Sequence, residues 1–120
     1  MDLETINGNP LLKHSFEFAL LVDENTARLY DLKRYDLARQ LFRSGTSIGA
    51  NAFESQHAES KQDFIHKLKI SAKEASETAF WLLVCQHRNG YPPCEHLLAK
   101  LEEINRLLSS IISSSKKNNQ

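Results

Sequence analysis

Apolar side chains recur along most of the chain at steps of three and four residues, which is the spacing of one face of an α-helix. The first such stretch follows Asn9 and Pro10, which suit the N-cap and the first helical position. Its apolar arc is wide and consists of Leu11, Leu12, Phe16, Phe18, Leu20, Val22 and Leu29. We therefore predict a first long helix from about Pro10 to about Leu32, with more than one helical neighbour.

The second stretch is built around small residues. Leu37, Leu41, Ile48 and Ala52 form its apolar line, and Gly45 occupies the vacant position at the same spacing. A glycine inside a helix costs about 1 kcal/mol relative to alanine, so its presence indicates a place where close packing compensates. We expect a neighbouring helix to come very near at Gly45.

The third stretch begins with Ser60 and Asp63, which resemble a capping box. Asn89 and Gly90 form a C-terminal stop signal. The predicted core face of this third helix consists of Phe64, Leu68, Ala72, Ala75, Ala79 and Leu82.

Pro93 suits the opening of a fourth helix. Its apolar stripe is close to a coiled-coil seam and consists of Leu97, Leu101, Ile104, Leu108 and Ile111. After Ile112 the sequence offers no apolar partner, so we expect fraying there and a disordered tail over residues 116–120. Four helices with short connections predict an all-α fold, an antiparallel up-down-up-down four-helix bundle in one domain over residues 1–115.

Composition narrows the functional classes. Fifteen basic and fifteen acidic residues give a net charge of zero, which removes a general attraction to phosphate backbones. The opening residues have neither the basic region nor the apolar core of a signal peptide, and no apolar run approaches the roughly 18 residues of a membrane span. With two cysteines in such a context, we expect a reduced, cytoplasmic protein without membrane contact.

Cys85, His87, Cys94 and His96 carry side chains that zinc prefers. Residues two apart on a helix point about 200° away from each other, so one helical Cys-x-His pair cannot close on one metal. The chain has one Glu-x-x-His pair, Glu54 and His57, whereas di-iron bundles need such a pair on each of two helices and a Glu on each of the other two. We therefore expect no metal and no cofactor. In the first turn of the fourth helix Cys94 is either a reactive thiol or an inert, partly buried one, and we favour the inert form.

Two sets of polar residues each allow two interpretations. Lys61, Lys67, Lys69 and Lys73 concentrate positive charge on the first half of the third helix, which indicates either a solvated face or a nucleic-acid contact. No phosphate-binding loop or nucleophile elbow is present, so we do not expect an enzyme.

The second group lies on the second helix, where Arg43, Ser47, Asn51 and Glu54 follow at steps of four, four and three residues on one face. These four residues, the polar line, form a solvated face, or Arg43, Asn51 and Glu54 hydrogen-bond across to another helix or subunit.

An ordered motif covers residues 43 to 82. It consists of Arg43, Ser47-Ile48-Gly49-Ala50-Asn51, Glu54, Ser60-Lys61, Asp63-Phe64-Ile65, Lys67-Leu68, Ile70-Ser71-Ala72, Lys73-Glu74-Ala75, Glu77-Thr78 and Trp81-Leu82. In this motif the chain resembles the bacterial four-helix-bundle proteins of intervening sequences in the large ribosomal RNA gene. It departs from the family pattern at Phe53 and at Ser55-Gln56-His57, where a small apolar residue and a glycine are usual, so we expect a locally different connection there.

The resemblance implies an antiparallel bundle that assembles as a ring, a homopentamer, with no established catalytic activity. A related branch, the accessory variability proteins of diversity-generating retroelements, binds a reverse transcriptase and nucleic acid through a basic surface, whereas this chain is neutral. The motif favours a structural or interface role for Arg43, Asn51 and Glu54. We expect a non-enzymatic, ring-forming scaffold for a protein or nucleoprotein partner. The alternative is an RNA- or DNA-binding accessory protein that uses the four lysines.

Overall fold

Five α-helices make up the chain in a computed structural model that describes residues 1–117. They are α1 (Leu3–Asn7), α2 (Pro10–Asp31), α3 (Tyr35–Ser55), α4 (Lys61–Gln86) and α5 (Glu95–Lys117). The four long helices α2 to α5 correspond to the predicted first to fourth helices, and the predicted all-α antiparallel bundle is confirmed. The sequence reading missed α1, which Asp2 caps by accepting a hydrogen bond of 2.8 Å from the Thr5 amide.

Side-chain caps fix the beginnings of two long helices where the sequence predicts them. The Asn9 side chain accepts hydrogen bonds from two amides of the first turn of α2, at 3.1 and 3.3 Å, and Pro10 needs no partner there. The Ser60 hydroxyl accepts from the Asp63 amide at 3.0 Å, and the Asp63 carboxylate accepts from the Glu59 amide at 3.2 Å. These bonds satisfy amides that a helix start otherwise leaves without partners.

The connection between α4 and α5 is longer than predicted. Helix α4 ends at Gln86, before Asn89, and Gly90 has a φ of 86° in the loop, a value that glycine adopts without strain. Helix α5 begins at Glu95, so Pro93 lies in the loop.

The end of α5 also differs from the prediction, because the helix continues to Lys117 and does not fray after Ile112. Ile111 and Ile112 still pack against the core, and Lys116 and Lys117 favour the negative end of the helix dipole. Residues 118–120 of the predicted tail lie outside the described residues.

Each long helix packs against two others. Helix α3 lies between α2 and α4, and α5 lies between the same two helices on the other side, so α2 and α4 are diagonal across the bundle. The predicted apolar line of α3 is buried, and that of α5 is buried except at Ile111, which is half-buried. Helix α2 differs from the prediction, because Phe16 and Leu20 are 36% and 56% exposed. The apolar arc of α2 is thus wider than the surface that the neighbouring helices of one bundle bury.

Small residues let α3 approach α2. A Cβ added at Gly45 would lie 2.8 and 3.0 Å from the two methyl groups of Val22, whereas one at Gly49 would first meet the Ser15 carbonyl oxygen at 3.4 Å. Val22 is completely buried, and its branched side chain has little rotamer freedom in a helix. The expected close approach at Gly45 is therefore present, and its partner is α2.

Buried hydroxyl groups join α3 to α4. The Ser71 hydroxyl donates to the Ile48 carbonyl at 2.8 Å, and the Thr78 and Ser44 hydroxyls lie 2.9 Å apart. All three hydroxyl-bearing residues are fully buried. Because a buried polar group without a partner is costly, these contacts fix the register of the two helices.

The two glycines of α3 provide a matched test of the packing. We expect Gly45→Ala to lower the free energy of unfolding by about 1–2 kcal/mol, because the clash with Val22 outweighs the gain in helix propensity. Gly49→Ala has room for its methyl group and should leave stability unchanged or raise it by up to about 1 kcal/mol. Urea denaturation of both variants measures the difference. Equal midpoints for the two would contradict the described packing.

Candidate functional site

Two members of the polar line connect α3 to α4. The Arg43 guanidinium donates to the Glu74 carboxylate at 3.1 Å and also to the Glu77 carboxylate. Further along α3, Glu54 and Lys67 form an ion pair at 3.5 Å. Glu74 and Glu77 of α4 thus face the edge of α3. The polar line follows the α3–α4 seam within one chain.

The other two members of the polar line bond to their own helix. The Ser47 hydroxyl donates to the Arg43 carbonyl, and the Asn51 amide donates to the Ser47 carbonyl at 2.9 Å. Both side chains are partly exposed at the edge of α3. Of the three residues proposed to reach another helix, Arg43 and Glu54 do so and Asn51 does not. A role of this line in contacts between subunits stays a prediction.

Glu77 receives two hydrogen bonds at the seam. The Trp81 indole N–H donates to it at 2.9 Å, and Arg43 donates from the neighbouring helix. These two contacts lower the pKa of Glu77, and the contact with Trp81 has the larger effect. The hydrogen bond to Glu77 in turn raises the pKa of Arg43. The indole ring is held in one orientation as a result.

Five large apolar or aromatic side chains are exposed on α2 and α3. This α2–α3 face consists of Phe16, Leu20, Tyr30, Tyr35 and Phe42. Leu20 is 56% exposed and Phe42 is 44% exposed, although both are large and apolar. The rings of Tyr30 and Tyr35 pack across the α2–α3 turn with centroids 5.3 Å apart. A groove of about 320 Å³ runs between the two helices beside Tyr30 and Phe42. An apolar patch of this kind is typical of an interaction surface.

A second apolar surface lies on the outer side of α4. This α4 face consists of Phe80, Leu83 and Val84, which are 58%, 48% and 37% exposed. Phe80 packs edge-on against Trp81, with ring centroids 5.1 Å apart. The α4 face and the α2 part of the α2–α3 face belong to diagonal helices, so the protein carries two unlike apolar surfaces on different sides.

The four lysines of the third predicted helix do not form one cluster. Lys67 is turned toward α3 and pairs with Glu54. Lys69 and Lys73 lie one turn apart on the exposed outer side of α4, and neither has a carboxylate partner among residues 1–117. Lys61 begins the helix on another side. The helical period thus disperses the charge that is close in sequence.

The Cys and His residues are divided between core and surface. Cys85 and Cys94 are buried free thiols, whereas His87 and His96 are exposed. Within the described part of the chain, no three His, Cys, Asp or Glu side chains are grouped to hold a metal. Cys94 precedes α5 and does not lie in its first turn. Interaction between the two thiols, together with burial, raises the pKa of Cys85. The same interaction lowers the pKa of Cys94.

Long helices sometimes cross membranes, which requires a continuous apolar stretch. Across residues 1–117, no helix combines the necessary length with the necessary hydropathy.

The fold and its surfaces define a four-helix-bundle protein with two exposed apolar faces. A family model described as 23S rRNA-intervening sequence protein matches residues 9–110. The chain belongs to this family, as the motif over residues 43 to 82 predicts. No curated protein matches the chain.

A solved structure is also similar. It is the crystal structure of a protein with unknown function from the S23 ribosomal protein family of Bacteroides thetaiotaomicron VPI-5482. The two sequences are 38% identical, the match covers 85% of this chain and 97% of that chain, and the TM-score is 0.81. The bundle is therefore shared over nearly all of that protein.

Protonation of Glu77 provides a test of the seam. Its pKa lies below the ordinary value of 4.5 in the folded protein, so its contribution to stability is present above that value and is lost as the pH falls through the lowered pKa. We expect Glu77→Gln to reduce the free energy of unfolding by about 0.5–1 kcal/mol at pH 7, a modest effect because solvent screens the pair. Near pH 3 the difference from the unsubstituted protein should shrink.

Urea midpoints at both pH values measure this difference. Glu102→Gln is the matched control, since Glu102 forms an exposed pair with Arg106 within one helix, at 3.6 Å. If Glu77→Gln lowers the free energy of unfolding equally at both pH values, the shape of the side chain at this position matters and its charge does not.

Proposed function

We propose that the protein is a non-enzymatic scaffold that assembles into a closed ring of identical copies and presents a repeated surface to a protein or nucleoprotein partner. The observation that supports this proposal is the pair of unlike apolar surfaces, the α2–α3 face and the α4 face. Monomeric proteins rarely leave such patches uncovered. The number of copies, five, rests on the family resemblance.

The separation of the two faces favours a head-to-tail contact. A two-fold dimer buries the same patch on both copies and would cover one face while leaving the other exposed. A contact between the α2–α3 face of one copy and the α4 face of the next covers both, and repetition of that contact closes a ring if the rotation allows it. Phe42 and Phe80 are exposed phenylalanines, one on each face, that can act as anchors of that contact.

The polar line has a supporting role in this proposal. Arg43 and Glu54 brace α4 against α3, and these two helices carry parts of the two faces. A rigid seam keeps the angle between the faces constant, which ring closure requires. Free, buried thiols are consistent with action in a reducing cytoplasm.

The alternative, an RNA- or DNA-binding accessory protein, has one favourable observation. Lys69 and Lys73 are exposed side by side on the outer side of α4. Two unpaired lysines in a neutral chain supply few phosphate contacts, so binding through them would be weak and strongly salt-dependent. A gel-shift titration with structured RNA at low and high salt, repeated with Lys69→Gln/Lys73→Gln, separates this alternative from the scaffold.

Size-exclusion chromatography with light scattering tests the assembly. We expect a mass near five times the chain mass of 13.7 kDa at micromolar concentration. Phe42→Glu and Phe80→Glu should each give monomers, because a charge placed in an apolar contact is not compensated. Asn105→Glu on the exposed side of α5 is the control and should keep the full mass.

Mixing the two monomeric variants tests the head-to-tail geometry. Phe42→Glu keeps an intact α4 face and Phe80→Glu keeps an intact α2–α3 face, so the mixture should form a pair of one copy each and grow no further. An unsubstituted protein that remains monomeric would contradict the proposal. A mixture that remains monomeric would contradict the head-to-tail contact.

A further inference from the structure

We propose that a groove at one end of the bundle binds a nucleoside phosphate. The groove has a volume of about 340 Å³ and lies between the beginning of α3 and the end of α4. Tyr91, in the connection to α5, forms part of its wall. The volume falls within the usual range of small-molecule sites, which begins at about 300 Å³.

Unbalanced positive charge is concentrated in this groove. The chain has six arginines, and four of them, Arg28, Arg34, Arg43 and Arg106, form ion pairs with carboxylates. The other two, Arg39 and Arg88, have no carboxylate partner among residues 1–117, and both line the groove. Arg34 lines it as well, and Asp36 supplies the one acidic side chain of the wall. The groove is thus built to receive an anion.

The guanidinium groups are partly preorganised. Arg34 is held by the Asp36 carboxylate, with two contacts of 3.3 Å, and it also donates to the Tyr91 hydroxyl. The guanidinium carbons of Arg34 and Arg88 lie 5.5 and 5.3 Å from the centroid of the Tyr91 ring, which is cation–π distance. Guanidinium groups present paired N–H donors that match phosphate oxygens.

Planar and apolar side chains complete the lining. Trp81 presents its indole there, fixed by the bond from its N–H to Glu77, and Leu37 and Val84 add apolar wall. The Gln40 amide supplies a neutral donor and acceptor. An aromatic surface beside guanidinium groups fits a ligand that joins a planar heterocycle to an anion. A nucleoside phosphate has that chemistry, either as a free nucleotide or as a residue of a single strand.

Trp81 makes the site directly measurable, because it is the single tryptophan of the chain. We expect adenosine monophosphate to change its fluorescence saturably and to give a matching heat in calorimetry. Adenosine alone and inorganic phosphate alone should bind at least about tenfold more weakly, since each loses one half of the contacts. A five-nucleotide single-stranded RNA forms the other arm. Binding of that oligonucleotide in preference to the mononucleotide identifies a strand as the source of the ligand.

Matched arginine variants test the assignment. Arg39→Gln and Arg88→Gln should each weaken binding of adenosine monophosphate by about tenfold, since each removes a charged donor. Arg106→Gln, on the exposed side of α5, is the control and should bind as the unsubstituted protein does. Thermal melting by circular dichroism checks that the variants fold. Absence of a saturable response, or equal affinity of Arg39→Gln, Arg88→Gln and Arg106→Gln, would overturn the proposal.

The ring and the groove are tested separately. Val84 belongs to both the α4 face and the groove, whereas Phe42 lies outside the groove. Titrating Phe42→Gln, which changes this residue without placing a carboxylate three positions after Arg39, therefore measures nucleotide binding with the α2–α3 face disrupted. A bound nucleotide in that variant supports the groove whatever the state of the ring, and loss of binding there would overturn it as a site within one chain.

Discussion

The close approach of α3 to both its neighbours is the constraint on which the rest of the structure depends. Gly45 accepts the methyl groups of Val22 from one side, and Ser44 meets Thr78 on the other. With only small side chains of α3 in these contacts, α3 packs closely between α2 and α4. Phe42 lies outside these contacts and is 44% exposed. Helix α3 thus combines a closely packed side with an exposed apolar residue.

The arginines of α3 have two different environments. Arg43 joins two helices through two carboxylates and thereby contributes to the rigidity of the seam. Arg39 lies one turn before it on the same helix and lines the groove, and within residues 1–117 it pairs with no carboxylate. A neutral chain thus contains a local surplus of positive charge, which the total of fifteen acidic and fifteen basic residues conceals. Net charge describes the long-range field of this protein and not its sites.

Local signals predicted the long helices well, because each acts within a few residues. Asn9 and Ser60 mark helix starts through bonds to nearby amides, and the apolar lines of α3 and α5 are buried as their spacing requires, except at the half-buried Ile111. The outer arc of α2 was not predictable in this way, since periodicity reveals an apolar arc but not whether one neighbour or two will cover it. The groove joins residues of α3, α4 and a loop that lie up to 57 positions apart, as between Arg34 and Tyr91, and no spacing rule connects them.

The placement of the two apolar faces on different sides of the bundle has a consequence for the symmetry of the proposed ring. Copies joined head to tail all run in the same sense around the ring, so the two flat sides of such a ring are chemically different. The groove lies at one end of the bundle and would be repeated on one side or around one rim, depending on how the bundles tilt. A partner with several matching groups would then engage many weak sites at once, and its total affinity would far exceed that of a single groove. In the proposed ring, the asymmetry of one chain would give the whole assembly a direction.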